Sequence, residues 1–237
     1  RDSLDVINHS DADIVLLQEA DRRLGPRPAA LQHRMIEDAS DYFVVPLAQN
    51  DVSLGWHGNA ILLRKGLTLH HTDRLDLPGL EPRGAVLAQV SAEGSVPVTI
   101  IGAHLGLLRP WRRRQLARIS ASLRDTDAAR SVVAGDFNEW SPDKGMEALQ
   151  GTHTIISPGK TFHATRPLAA LDRIALGAQI AADGAGVDES SIARISSDHL
   201  PVWADLYLPQ RKVELDPDRD GPQAGQGPAG RSSGQTA

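Results

Sequence analysis

The sequence predicts an α+β sandwich built mainly from short buried strands. Runs of about four to eight apolar residues bounded by Gly, Pro, Asp or Ser are typical of strands covered on both faces. Such runs recur along most of the chain, and few long segments between them have helical periodicity. This pattern favours segregated helices and sheets over the regular strand–helix alternation of a doubly wound sheet.

The N-terminal region contains two predicted helices and two predicted strands. The helices are expected at residues 1–10 and 28–39, and the strands at residues 13–19 and 42–47. Apolar residues at helical spacing form one face of each helix, which is expected to point inward. The residues on these two faces are Leu4, Ile7, Leu31, Met35 and Ile36.

The middle of the chain predicts two β-hairpins. Residues 59–63 and 67–72 flank Lys65-Gly66, and residues 85–91 and 96–103 flank Glu93-Gly94. A glycine between two such runs is typical of a tight turn. Each pair of runs is therefore predicted to form neighbouring antiparallel strands.

The C-terminal half predicts two helices and four strands. The helices are expected at residues 110–124 and 142–149, and the strands at residues 131–134, 161–162, 171–176 and 200–208. The longer helix is amphipathic, because its apolar residues recur at helical spacing. Its apolar face consists of Leu116, Ile119 and Leu123.

The 237 residues are expected to form one domain, residues 1–208, followed by a tail, residues 209–237. A single domain of this size is common. The tail is rich in Gly, Pro, Gln, Ser and Asp and poor in apolar residues. Such a segment cannot bury enough surface to offset the entropy of ordering, so we predict that it is disordered.

Composition narrows the classes of function. The absence of cysteine excludes disulfides and thiolate chemistry. The formal net charge of −5 lacks the electrostatic footprint of a non-specific nucleic-acid binder, which disfavours a long-duplex nuclease. No apolar run approaches the roughly 20 residues of a membrane span. Composition does not identify the compartment or the oligomeric state, and the cytoplasm is the working expectation.

The most informative motif is Gly135-Asp136-Phe137-Asn138, which directly follows an apolar run. A carboxylate and an amide two residues apart at a strand end lie on the same side of the chain. Together they can hold a water molecule and stabilise an oxyanion, as phosphate-ester hydrolysis requires. Asp and Asn also start turns after strands, so the motif alone has a structural interpretation as well.

Four other predicted strand ends carry side chains of the same kind. They are Gln18-Glu19, His104, Asp172 and Asp198-His199. Acid, amide and imidazole groups at several strand ends can meet at one edge of a sheet. Such a set of groups is suited to metal binding and general-base chemistry.

Six motifs, in order along the chain, resemble those of the endonuclease/exonuclease/phosphatase superfamily, the DNase-I-like metal-dependent phosphoesterases. The resemblance covers roughly residues 4–208 and implies a four-layer α/β/β/α sandwich of two mixed sheets flanked by helices, with one catalytic Mg²⁺, for which Mn²⁺ is an alternative. The motifs are Gln18-Glu19, Gly58-Asn59-Ala60-Ile61-Leu62, His104-Leu105-Gly106-Leu107, Gly135-Asp136-Phe137-Asn138, Leu171-Asp172-Arg173-Ile174 and Ser197-Asp198-His199-Leu200-Pro201-Val202.

In the resembled family, a strand bearing an asparagine metal ligand precedes the first helix. This sequence begins at Arg1, inside the first predicted helix. The domain is therefore expected to be N-terminally incomplete, without its usual first strand.

The resemblance assigns catalytic roles to five residues. Asp136 would orient or deprotonate the attacking water, and Asn138 would donate its amide to phosphate oxygens. Asp172 would pair with His199 and favour its imidazolium form, although His199 as general base is an alternative. His104 would contact the phosphate.

Four further residues are assigned to metal or substrate binding by the same resemblance. Glu19 would bind the metal directly, and Asp198 would reach the metal or its water shell. Asn59 and Arg83 would contact the phosphate, the latter through its guanidinium fork. Each also has a structural interpretation, as a turn residue or a solvated charge.

A cluster of arginines follows His104 near the start of the longer predicted helix. A charge run of this kind is usually a solvated helix face, and we interpret most of the cluster in this way. One or two members could face the cleft and attract an anionic substrate. The cluster consists of Arg109, Arg112, Arg113, Arg114 and Arg118.

The sequence therefore predicts a Mg²⁺-dependent phosphoesterase that cleaves its substrate by in-line attack of water. A phospholipid head group or another small phosphodiester is the favoured substrate. A DNA endonuclease or exonuclease of the same fold is the first alternative. A non-catalytic binding module that keeps the fold is the second.

Overall fold

The computed structural model describes residues 2–22, 25–123, 128–142 and 144–211. Within these residues the helices are α1 (Asp2–Ser10), α2 (His33–Ala39), α3 (Arg109–Ser122), α4 (Glu147–Gln150) and α5 (Ala193–Ser196). The strands are β1 (Ile14–Leu17), β2 (Tyr42–Val44), β3 (Ala60–Arg64), β4 (Thr68–Leu77), β5 (Arg83–Ser91), β6 (Val98–His104), β7 (Ser131–Asp136), β8 (His153–Ile156), β9 (Asp172–Gly177), β10 (Ala181–Val187) and β11 (Val202–Tyr207). Most of the tail predicted to be disordered, residues 212–237, lies outside the described residues.

The strands form one large sheet and two smaller ones. The large sheet has the order β4-β5-β6-β7-β9-β8, and it is mixed because β6 and β7 are parallel while its other neighbours are antiparallel. A three-stranded antiparallel sheet has the order β1-β3-β2. Strands β10 and β11 form a separate antiparallel pair.

The two faces of the large sheet are covered by different clusters of apolar side chains. On β6, Ile101 packs in the cluster that contains Leu116 and Ile119 of α3. Its neighbour Ile100 packs in a second cluster with Ile61 of β3. Side chains alternate between faces along a strand. Helix α3 therefore covers one face and the smaller sheets cover the other.

A third cluster places α1 and α2 on the far side of the three-stranded sheet. Leu4, Ile7 and Ile36 of these helices pack with Ala60 and Leu62 of β3. The order of layers is thus α3, the large sheet, the smaller sheets, and then α1 with α2. The predicted α+β sandwich is confirmed, with the difference that a three-stranded and a two-stranded antiparallel sheet take the place of a single second sheet.

The predicted hairpin around Lys65-Gly66 is wrong. β3 pairs with β1 and β2, whereas β4 pairs with β5 in the large sheet. Four of the five residues of β3 are buried, while most of β4 is open to solvent at the edge of its sheet. The two strands meet different surroundings, and the turn carries the chain from one sheet to the other. The second predicted hairpin, which corresponds to β5 and β6, is confirmed.

The second predicted helix is shorter than expected. It begins at His33, and Met35 is exposed instead of inward-facing, whereas Ile36 is fully buried. The preceding residues are held in a loop because Ala29 and Ala30 donate their N–H groups to the carbonyl oxygens of Val52 and Ala20, respectively. These long-range bonds replace the helical ones that the apolar spacing suggested.

Other boundaries differ at the C-terminal end of the domain. The helix expected at residues 142–149 is reduced to α4, and residues 161–162 form only isolated bridges through Phe162. Strands β8 and β10 were not predicted. The prediction for α3 is confirmed, since Leu116, Ile119 and Leu123 are all buried.

Candidate active site

Three neighbouring strands of the large sheet bring polar residues to one edge. His104 is the last residue of β6, Asp136 is the last of β7 and Asp172 is the first of β9. His104 is in register with Asp136, and Asp136 is in register with Asp172. β6 runs parallel and β9 antiparallel to β7, so all three residues lie at the same end of their strands.

His199 completes this cluster from the segment before β11. Its Nδ1 atom lies 3.0 Å from Oδ2 of Asp172, and its Nε2 atom lies 3.9 Å from Oδ2 of Asp136. On the other side of Asp136, the same Oδ2 atom lies 3.3 Å from Nε2 of His104. One carboxylate oxygen of Asp136 thus faces two imidazoles.

The segment before β9 fixes both members of the Asp172–His199 pair. Thr161 donates its hydroxyl to Oδ2 of Asp172 at 2.5 Å. Phe162 forms an isolated bridge with His199, and the centroids of their rings are 5.1 Å apart. The neighbouring His163 is exposed.

Burial and neighbouring charges shift the pKa values of two residues of the cluster. Burial, together with the negative charge of Asp172, raises the pKa of Asp136 to about 6. Although burial lowers the pKa of His199, its hydrogen bond to Asp172 and the charges of Asp136 and Asp198 raise it to about 9. Near neutral pH, His199 is therefore an imidazolium beside a mostly ionised Asp136.

Asn138 is locked by its own backbone and by the loop after β6. Its φ is +51°, its N–H donates to Oδ1 of Asp136 at 2.8 Å, and its side-chain Nδ2 donates to the Leu105 carbonyl oxygen at 2.9 Å. Just before it, Gly135 has a φ of +136°, and a Cβ there would lie 2.1 Å from the Ala103 carbonyl oxygen. Only glycine allows β7 to approach β6 this closely.

Among the described residues, the group of acids and histidines that could hold a metal consists of Asp136, Asp172 and His199. One ligand atom from each lies within 4.8 Å of the others. The predicted ligands Glu19 and Asp198 are outside this group. Glu19 follows β1 with a φ of +53°, and Asp198 is exposed although its charge acts on His199.

The donor chemistry fits a divalent cation near these carboxylates. Asp136 and Asp172 are both buried, and their mutual repulsion contributes to the raised pKa of Asp136. A cation would offset that repulsion, and hard cations prefer carboxylate oxygens. A protonated His199, by contrast, has no lone pair to offer a metal.

The two predicted substrate-binding residues, Asn59 and Arg83, both lie next to Gly84. Arg83 precedes it in the sequence, and Asn59 binds its carbonyl oxygen. Asn59 is buried and donates Nδ2 to the Gly84 carbonyl oxygen at 3.0 Å. Arg83 donates Nη2 to Oε2 of Glu81 at 2.8 Å, and its positive charge lowers the pKa of Asp136. The structure thus places Arg83 close enough to act on the site electrostatically.

Two members of the arginine cluster bind one carboxylate, that of Glu139. Arg112 is buried, whereas 45% of the Arg109 side chain is exposed, so the interpretation of most of the cluster as a solvated face is not contradicted. Arg109 donates from Nη2 and Nε to the Glu139 carboxylate at 2.6 and 3.0 Å, and the buried Arg112 donates to it at 2.9 Å. Although burial raises the pKa of Glu139, the two arginines lower it to about 2. Glu139 was not singled out from the sequence. Its position directly after Asn138 was the available signal.

Comparison with known proteins identifies the class. The sequence matches the Endonuclease/Exonuclease/phosphatase family over residues 3–199, and the chain belongs to this family. Its members are hydrolases that act on phosphate esters.

Individual proteins with a similar sequence or fold cover most of this chain. The uncharacterized protein YbhP of Escherichia coli K12 is 27% identical over 222 residues, which cover 86% of this chain and 87% of YbhP. A functionally unknown conserved protein from Enterococcus faecalis V583 has a similar structure, with a TM-score of 0.72, 21% identity and coverage of 87% and 89% of the two chains. The mannosyl-6-phosphatase Bt3783 of Bacteroides thetaiotaomicron has a TM-score of 0.69, 14% identity and coverage of 87% and 89%.

Within the described part of the chain, no helix combines the length and apolarity needed to cross a membrane.

Proposed function

We propose that this protein hydrolyses a phosphodiester by in-line attack of water, with Mg²⁺ or Mn²⁺ as cofactor. The observation that carries the proposal is the placement of Asp136 between His104 and His199 at the end of three adjacent strands. A buried carboxylate beside two imidazoles offers a proton acceptor and two phosphate contacts within a few ångströms.

Asp136 acts as the general base. Its pKa of about 6 is high for a carboxyl group but lies below neutral pH. Asp136 is therefore ionised near neutral pH, and it accepts a proton more readily than an ordinary carboxylate. Its Oδ1 atom is held by the Asn138 N–H, which leaves Oδ2 as the oxygen that faces the imidazoles. The attacking water would be oriented by that oxygen.

His199 and His104 stabilise the phosphate, and Asn138 supports them. The Asp172 carboxylate keeps His199 protonated, so that it presents a positive charge to the non-bridging oxygens. Asn138 binds the Leu105 carbonyl oxygen with one amide hydrogen, and its second hydrogen serves the substrate.

Glu19 and Asp198 remain our proposed residues for holding the cation, with the buried carboxylates of Asp136 and Asp172 nearby. When bound, the cation would neutralise charge on the phosphate and on the leaving oxygen. Asn59 and Arg83 would extend the site on the side of β5, where Arg83 adds positive charge.

We favour a phospholipid head group or another small phosphodiester as substrate over DNA. The net charge of −5 supports this choice, because long nucleic acids are usually bound through an excess of basic residues. Cleavage of an abasic duplex with steep salt dependence would instead favour the nuclease alternative.

The decisive experiment measures turnover of bis(p-nitrophenyl) phosphate with EDTA, Mg²⁺ or Mn²⁺. The proposal expects cation-dependent turnover that Asp136→Asn and His199→Gln abolish. His163→Gln is the matched control, because it removes an exposed histidine from the adjacent segment. Turnover that survives EDTA or Asp136→Asn would refute the proposed mechanism, and absence of turnover on all phosphodiesters would favour the binding module.

A further inference from the structure

Two buried side chains of α3 tie together the loops that follow β4, β6 and β7. Gln115 donates Nε2 to the Pro78 carbonyl oxygen at 2.9 Å, and its Oε1 accepts the Gly106 N–H at 2.8 Å. Arg112 donates to the Glu139 carboxylate at 2.9 Å and also to the loop after β6. The three loops therefore form one continuous surface around the start of α3.

The loops of this surface carry four large apolar side chains that are exposed to solvent. Leu80 is 78% exposed, Leu107 63%, Leu108 55% and Trp140 66%. Single exposed leucines are common on protein surfaces, but four large apolar side chains on adjoining loops form a patch that indicates an interaction site. Leu107 and Leu108 follow His104 and Trp140 follows Asn138, so the patch adjoins the candidate active site.

The same surface carries exposed arginines on α3. The Arg113 side chain is 61% exposed and its Nε lies 3.7 Å from Oε2 of Glu147, itself half-exposed. The Arg114 guanidinium lies 4.8 Å from the centroid of the Trp111 ring. This basic helix face is notable on a chain with a net charge of −5.

We propose that this α3 loop surface, which consists of Leu80, Leu107, Leu108, Trp140, Arg113 and Arg114, binds the face of an anionic phospholipid bilayer. Leucine and tryptophan side chains enter the boundary between head groups and acyl chains, and arginines bind lipid phosphates. The combination of both on one surface selects a bilayer over a purely apolar or a purely polar partner. None of these residues belongs to the proposed catalytic set, so the inference goes beyond the proposed reaction and stands apart from it.

Binding through this surface would orient the candidate active site relative to the bilayer. Binding through these loops would turn the strand ends that carry His104 and Asp136 toward the lipid head groups. A phosphodiester in a head group would then be presented to the site at high local concentration.

Vesicle co-sedimentation tests the proposal without any catalytic readout. The protein is mixed with vesicles of phosphatidylcholine alone or of phosphatidylcholine with phosphatidylglycerol. We expect binding to the anionic vesicles that weakens as salt screens the arginines. The double variant Arg113→Gln/Arg114→Gln should lower the partition coefficient about fivefold for each arginine removed, and Trp140→Ser should lower it about tenfold.

Tyr207→Ser provides the matched control, because Tyr207 is an aromatic residue on β11 with similar exposure, 62%. Unchanged urea midpoints would show that the variants are folded. Failure of the parent protein to bind anionic vesicles at low salt would overturn the proposal, as would equal losses in Tyr207→Ser and Trp140→Ser. A concentration-dependent dimer that Trp140→Ser dissociates, without vesicle binding, would assign the surface to a second copy instead.

Discussion

His199 Nδ1 and Asp172 Oδ2 lie 3.0 Å apart, and Thr161 donates a second hydrogen bond to the same carboxylate oxygen. The carboxylate therefore fixes the orientation of the imidazole and keeps it protonated. In the proposed mechanism the pair would separate two roles, with His199 supplying positive charge and Asp136 accepting the proton.

The first prediction concerns the loss of catalytic groups. Asp136→Ala or His199→Ala should leave less than about one per cent of the parent kcat, because removal of one transition-state contact typically costs about 10²–10³ in rate. Steady-state kinetics on a generic phosphodiester with Mg²⁺ measures the effect. Near-parent rates in either variant would contradict the assigned roles.

The second prediction concerns the pH profile of kcat/KM. Activity should fall at high pH as His199 loses its proton, with the parent limb near its pKa of about 9. Asp172→Asn removes the main cause of that raised pKa, so the alkaline limb should move to lower pH. An alkaline limb that stays in place in Asp172→Asn would show that another group titrates there.

The third prediction links the same pKa to stability. The pKa of His199 is about 9 in the folded protein, compared with the ordinary histidine value of 6.5 that applies to the unfolded chain. The folded state thus binds the proton more tightly than the unfolded state. The protonated His199 therefore adds to the free energy of unfolding below about pH 6.5, and this contribution is lost as pH rises to about 9. Urea denaturation in EDTA should show this decline in the parent and in His163→Gln, and a flatter curve in His199→Gln. A parallel decline in His199→Gln would contradict the linkage.

Much of the fold was predictable because periodicity reports burial. The β5–β6 hairpin and α3 follow from regular apolar spacing, and both match the structure. β10 escaped prediction because its sequence, Ala-Ala-Asp-Gly-Ala-Gly-Val, has neither β-branched enrichment nor alternation, and it becomes a strand only by pairing with β11. The hairpin at Lys65-Gly66 failed because local turn chemistry does not reveal which sheet receives the next strand.

The candidate site also contains residues that could be predicted from the sequence and contacts that could not. Strand-end residues such as His104, Asp136 and Asp172 could be singled out because each stands next to an apolar run, and the structure places them side by side. The buried partnership of Arg112 with Glu139 could not be predicted, because it depends on the packing of α3 against two loops. A run of arginines in sequence does not distinguish a solvated face from a buried ion pair.

The fourth prediction tests that ion pair. Glu139→Gln should destabilise the protein by about 3–5 kcal/mol, because it leaves the buried Arg112 charge without its partner. Urea denaturation near neutral pH measures the change. Glu147→Gln removes the exposed partner of Arg113 and should change stability by less than about 1 kcal/mol. Equal effects of the two substitutions would contradict the burial of the Arg112–Glu139 pair.

The fifth prediction tests the close approach of β7 to β6. Gly135→Ala should destabilise the protein by at least about 1–3 kcal/mol, because the positive φ is strained for alanine and its Cβ would collide with the Ala103 carbonyl oxygen. Gly151→Ala is the matched control, since its φ is −77° and no atom lies within 4 Å of the added Cβ. Comparable urea midpoints for Gly135→Ala and the parent would show that the strands can separate without loss.

The wide separation along the chain of His104, Asp136, Asp172 and His199 has a consequence for how the protein acquires its activity. These residues meet only after strands distant in sequence have paired, and such non-local pairing is slow compared with helix formation. In a refolding experiment, hydrolytic activity should therefore return with the last kinetic phase and lag behind the far-ultraviolet circular dichroism signal of the helices. No proteolytic fragment that ends before β9 would carry a working centre.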